Sequence, residues 1–181
     1  MPPSQHIVEN RVEAALDTLF EEDRTLLVND ANERSITHRL AMYLAKEIAE
    51  FESAYAVDVE YNRITEANGT TDSIKKRVAY DAPSDECRGR RIRDDDTDAQ
   101  TVFPDIIVHK RSSSNQNLLV IELKKTSSTA SGECDKEKIE RFREDLGYEY
   151  GIFLQLMAGG EPSIAEWTSF PDSSCNYRSR D

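Results

Sequence analysis

The chain has 181 residues, 38% hydrophobic and 32% charged, a balance that excludes a disordered polymer and supplies apolar material for one folded domain rather than two. Its apolar runs are too short to span a bilayer, and Met1-Pro2-Pro3-Ser4 lacks the basic-then-apolar order of a secretory signal, so a cytoplasmic location with no membrane partner is expected. The formal net charge of -12 argues against tight non-specific binding of nucleic acid through overall basicity and leaves such contact to a local patch.

In chain order, Val8, Val12, Leu16 and Leu19 recur at three- and four-residue steps and predict a helix over residues 7–22. After the break at Asn29-Asp30, either of which could cap a helix, Ile36, Leu40, Tyr43, Leu44, Ile48 and Phe51 predict a second helix ending near residue 52. On that helix Glu33 falls at the angle of Leu40, Leu44 and Phe51, so one carboxylate points inward. Residues 56–61 alternate apolar and polar as a half-buried strand does. Glu60 is out of phase there and faces solvent or a partner, with a further metal ligand as the alternative.

Residues 65–100 are polar, carry Asn68-Gly69 and Pro83, and predict a variable loop with one short element at 74–80. Within it Arg88, Arg90, Arg91 and Arg93 precede Asp94, Asp95 and Asp96, either a self-compensating charge run or a basic loop for a phosphate backbone. Residues 102–111 and 118–123 are β-branched apolar runs around a Ser/Asn turn, a β-hairpin apolar on both faces, as at the centre of a covered sheet. A helix at 135–146 with Ile139, Phe142 and Leu146 as its stripe, a buried strand at 150–157 and an irregular tail over 159–181, with a short strand around Trp167, complete the order. There is no internal repeat. The expectation is a single α/β domain over 1–181 with its core at about 31–158: a central mixed sheet flanked by helices. Cys87, Cys134 and Cys175 are widely spaced with no C-x-x-C pair and are expected as reduced thiols.

The chemistry concentrates in the hairpin. Residues two apart in a strand share a face and lie ~6.6 to 6.8 Å apart, which pairs Glu122 with Lys124. A turn about the centre of the Ser/Asn loop sets Asp105 opposite Lys124, on the same face. Glu122 stands between Ile121 and Leu123, where a charge is costly unless it is paired or metal-bound. Two carboxylates beside a backbone carbonyl suit Mg²⁺ or Mn²⁺, and Lys124 could orient a water or neutralise charge on a phosphate. The plainer reading is a buried Asp105/Lys124 ion pair with no metal. His109, ~13 Å along the strand from Asp105, reads as a structural histidine, and its spacing from His38 does not suit zinc. Lys125, Lys136, Lys138, Arg141 and Arg143 form the candidate patch for phosphate contact, with solvated surface charge as the alternative.

Pro104-Asp105 followed by Glu122-Leu123-Lys124, set in a helix, strand, hairpin, helix, strand order, resembles the PD-(D/E)XK nuclease superfamily over about residues 33–157. The resemblance implies a restriction-endonuclease-like core of αβββαβ order. It also implies Asp105 and Glu122 as metal ligands, Lys124 as the catalytic lysine, and Glu33 as the acidic helix residue sharing the metal. The expected activity is Mg²⁺- or Mn²⁺-dependent endonuclease-like hydrolysis of phosphodiester bonds, in DNA rather than RNA, for restriction, defence or repair. A homodimer or larger complex is left open. The alternative is a non-catalytic domain of the same fold that binds a protein or nucleic-acid partner.

Overall fold

The computed structural model describes residues 2–51, 54–61, 63–64, 74–75, 103–111 and 116–170. The charge run at Arg88 to Asp96, almost all of the loop at 65–100 and the last eleven residues lie outside them. Helix α1 (Gln5–Glu22) is followed by a single short turn of helix, α2 (Arg24–Val28), and then by α3 (Glu33–Phe51). Asn32, rather than Asn29 or Asp30, caps α3: its side-chain oxygen accepts from the Ser35 amide at 2.8 Å. Asp30 instead takes a positive φ of 51° in the connection, a conformation that aspartate tolerates better than most residues.

Strand β1 (Ala56–Val59) follows, then two short paired strands β2 (Arg63–Ile64) and β3 (Ile74–Lys75), and the hairpin of β4 (Ile106–His109) with β5 (Asn117–Lys125). Helix α4 (Glu133–Leu146) crosses from β5 to the parallel strand β6 (Tyr150–Leu156), and β7 (Ile164–Phe170) closes the edge. The five-stranded sheet has the order β1-β4-β5-β6-β7, with β5 and β6 parallel and every other pair antiparallel. The protein is therefore an α/β structure with a mixed sheet flanked by helices. The short strand expected around Trp167 is a full seven-residue edge strand.

The side-chain alternation of β4 and β5 distributes the core between two layers. Ile106, Val108, Leu119, Ile121 and Leu123 face α1 and α3, where Val12, Leu16, Leu40 and Leu44 are buried against them. Ile107 and Val120 face the other way, toward Ile139 and Phe142 of α4 and Phe153 of β6. Burial on both faces explains why β5 is an apolar run rather than an alternating one.

The close seat of α4 depends on Gly151 of β6, where an added Cβ would lie 2.2 Å from Ile139 Cγ2. Gly151→Ala is expected to lower stability by about 1–3 kcal/mol through overpacking, measured as a reduced urea midpoint. An unchanged midpoint would mean that α4 can slide on the sheet at no cost. Gly147, with φ 65°, ends α4 in the left-handed conformation, and its amide donates to Arg143 O at 3.0 Å. Cys134, in the first turn of α4, is disulfide-bonded, which corrects the expectation of a reduced thiol there, while Cys87 and Cys175 lie outside the described residues. Among the described residues no helix is long and apolar enough to cross a membrane.

Candidate active site

The hairpin register sets Ile106 opposite Ile121 and Val108 opposite Leu119, so Asp105, one residue before β4, stands opposite Glu122 and not Lys124. The expected register fails because Asn117 belongs to the strand. It pairs with His109 across a bulge, and its side-chain amide donates to Leu146 O at 2.7 Å, moving the centre of the turn one residue toward the N-terminus. Asp105, Glu122 and Lys124 still share the α4 side of the sheet, because the shift of two residues preserves the face.

Each carboxylate is held differently. Asp105 Oδ2 accepts from the Leu123 amide at 2.8 Å. Burial pushes its pKa up to about 6, opposed by the Lys138 charge and the Leu123 hydrogen bond and reinforced by the charges of Glu33 and Asp135. Glu122 is 1% exposed, and its Oε2 lies 2.6 Å from Lys138 Nζ. Burial drives its pKa well above the usual range against the pull of Lys138, with the charges of Asp105 and Asp135 adding to the rise. Its other oxygen, Oε1, is buried with no hydrogen-bond partner, a costly state for a carboxylate.

Lys124 Nζ, also buried, lies 2.6 Å from Asp135 Oδ2 of α4. Its partner is thus a helix carboxylate rather than Asp105, as the plainer reading had it. Lys138 Nζ lies 3.9 Å from Asp135 Oδ1, so Asp105, Glu122 and Asp135 interleave with two ammonium groups. Burial by itself would lower the pKa of Lys138, but the neighbouring Glu122 and Asp105 carboxylates raise it, and the group stays charged.

Glu33, at the first position of α3, reaches the end of β5 from the opposite layer, and its Oε2 accepts from the Lys125 amide at 3.2 Å. It joins the site through the strand's backbone and through its field on Asp105. Glu60 pairs with Arg34 at 2.7 Å, while its amide donates to Asp105 O at 3.3 Å. His109 is buried, with Nε2 2.8 Å from Asp58 Oδ2 and its ring against Tyr61, a structural setting. His38 lines an open cavity of about 530 Å³ with Asp23, Asn32, Arg34 and Arg39.

The expected phosphate patch is largely spent on internal contacts. Lys125 Nζ binds Asp30 Oδ1 and Ala31 O, both at 2.8 Å. Lys136 lies 2.5 Å from Glu166, Lys138 is within the carboxylate cluster, and Arg141 and Arg143 pair along α4 with Glu144 and Glu140. Lys138 and Asp135 are the residues of this cluster that the sequence reading misplaced or missed. The signal was present: Lys138 precedes Phe142 by four residues and Asp135 precedes it by seven, which puts both on the buried face of α4.

Among the described residues no three Asp, Glu, His or Cys side chains converge closely enough to hold a metal ion. The cation beside Glu122 is the ammonium of Lys138. Comparison of the chain with family models, curated proteins and solved structures returns no match.

Proposed function

We propose that this chain is a restriction-endonuclease-like, Mg²⁺- or Mn²⁺-dependent phosphodiesterase acting on DNA. The observation that carries the reading is the meeting of the half-buried Asp105 and the buried Glu122 carboxylates with the buried Lys124 at one end of β5. A divalent cation suits this donor set. Two carboxylates are held in a medium that disfavours their charge, and one oxygen, Glu122 Oε1, has no protein donor. Asp105 and Glu122 would hold the ion, with Glu33 behind the strand adding negative field.

A divalent ion supplies Lewis-acid charge for a phosphate oxygen and acidifies water. The chain's own part is positioning. The Leu123 amide fixes the Asp105 carboxylate, and Asp135 fixes the Lys124 ammonium. Lys124 then provides a fixed positive charge for the negative charge that grows on the phosphate in the transition state. Because Lys124 is buried, that charge acts through a lowered local dielectric.

The test is incubation with plasmid, linear and single-stranded DNA and with RNA, in Mg²⁺, Mn²⁺ or EDTA. Metal-dependent cleavage of DNA is expected, reduced on the order of 10²- to 10³-fold by Lys124→Ala. Absence of metal-dependent cleavage on every substrate, with no metal binding by calorimetry, would remove the reading. Cleavage indifferent to Lys124→Ala would assign it to a contaminant or another site. The second reading, a non-catalytic module of the same fold, is favoured by one observation: among the described residues, Lys124, Lys125, Lys136 and Lys138 are engaged in internal ion pairs and not held out to a phosphate backbone.

A further inference from the structure

Lys138 was expected on the surface of α4 and is instead half-buried against the carboxylate that the proposed metal needs. Its Nζ lies 2.6 Å from Glu122 Oε2, and its side chain is 17% exposed. Its charge also opposes the burial of Asp105. One ammonium thus does for both carboxylates what a bound cation would do: it offsets the cost of holding them charged where burial disfavours charge.

We propose that Lys138 is a built-in competitor for the metal position, which it holds in the metal-free protein and leaves, swinging toward solvent, when a divalent cation binds Asp105 and Glu122. The inference rests on the metal-dependent reading of the site. Three carboxylates, Asp105, Glu122 and Asp135, face two ammonium groups, Lys124 and Lys138, so the cluster carries one excess negative charge when all five are ionised. A divalent cation added beside both lysines would leave an excess of positive charge in a poorly screened place. One lysine has to go.

The contacts decide which. Lys124 projects from a central strand and is held at 2.6 Å by Asp135, a residue outside the proposed metal set. The short contact of Lys138 is to Glu122, the carboxylate that the metal takes over, and its distance to Asp135 is 3.9 Å. Lys138 also projects from a flanking helix on a four-carbon stem that can reach water while its methylenes remain against apolar surface. The exchange keeps Asp105 and Glu122 in place without metal, at the expense of metal affinity.

The test uses the wild-type chain. A short pulse of an amine-reactive acetylating reagent, followed by peptide mass spectrometry, reports the accessibility of each lysine in EDTA and in saturating Mn²⁺, with calorimetry reporting binding on the same sample. The expected result is that Lys138 is protected in EDTA and labelled several-fold faster in Mn²⁺, whereas Lys110, at the far end of β4, does not change. Lys138→Gln is expected to bind Mn²⁺ about tenfold more tightly than wild type.

Mn²⁺ binding that leaves Lys138 as protected as before, or equal affinity of Lys138→Gln and wild type, overturns the competitor role while the metal reading stands. No Mn²⁺ binding by either protein overturns both. If Lys138→Gln does not fold, the wild-type labelling decides alone.

Discussion

Asp105→Asn is expected to abolish metal-dependent cleavage and, in EDTA at pH 8, to make the protein more stable than wild type. On the proposed metal-dependent reading, loss of one of the two carboxylates removes charge that would hold the ion, and a fall in rate on the order of 10³-fold is expected. The gain in stability follows from the raised pKa, about 6 against an ordinary 3.8. Above pH 6 the folded protein holds a buried carboxylate that would sooner be protonated, at a cost on the order of 3 kcal/mol. Asparagine keeps an oxygen for the Leu123 amide and carries no charge.

The sign follows from the same pKa values. A group whose folded pKa is raised contributes stability fully present below its unfolded pKa and lost as pH rises through its folded pKa, here from about 3.8 to about 6. Urea unfolding of both proteins between pH 4 and pH 8 should therefore show the variant's advantage growing over that window. Groups such as Asp58, whose pKa its Arg111 hydrogen bond lowers, act in the opposite sense but cancel in the difference. A constant difference across the window would mean that Asp105 is not held charged against its surroundings.

Lys138→Ala is expected to cost about 3–5 kcal/mol in EDTA at pH 8, because it strips the cation from a buried carboxylate. The test of cause is the double variant Lys138→Met with Glu122→Leu. Replacing both partners by apolar side chains removes the stranded charge, and stability is expected to return to wild type or above it. Equilibrium urea unfolding of wild type, Lys138→Met, Glu122→Leu and the double variant gives the coupling. If the double variant is as unstable as Lys138→Ala, the loss comes from packing around the lysine stem and not from the charge of Glu122.

Much of this architecture could be read in the sequence, because periodicity reports burial. The stripes of α1, α3 and α4 and the double-sided apolar runs of β4 and β5 appear in the structure as buried layers. The candidate residues Asp105, Glu122 and Lys124 were found because charge inside an apolar run is anomalous. What escaped detection had no period to show. Helix α2 is one turn long, and Asn117 looked like a turn residue while serving as a strand residue. Lys138 was the more instructive miss. A lysine on an otherwise charged helix looks like surface, and only its alignment with Phe142 distinguishes it from Lys136, which lies on the flank against Glu166. The outermost part of the site, where substrate would approach, depends on side-chain ion pairs that no pattern of apolar residues encodes.

Lys124 and Lys125 are neighbours in sequence but face opposite layers of the sheet. Lys125 is tied by its side chain to Asp30 and Ala31 and by its amide to Glu33. These ties act as a buckle, fastening the tip of β5 to the start of α3. One wall of the carboxylate cluster is consequently tied to α3, while the opposing wall is the first two turns of α4, seated on the sheet by Ile139 and joined across the cluster by the Lys124–Asp135 and Lys138–Glu122 contacts. A change that loosened the buckle would shift the strand wall without touching a single residue of the cluster.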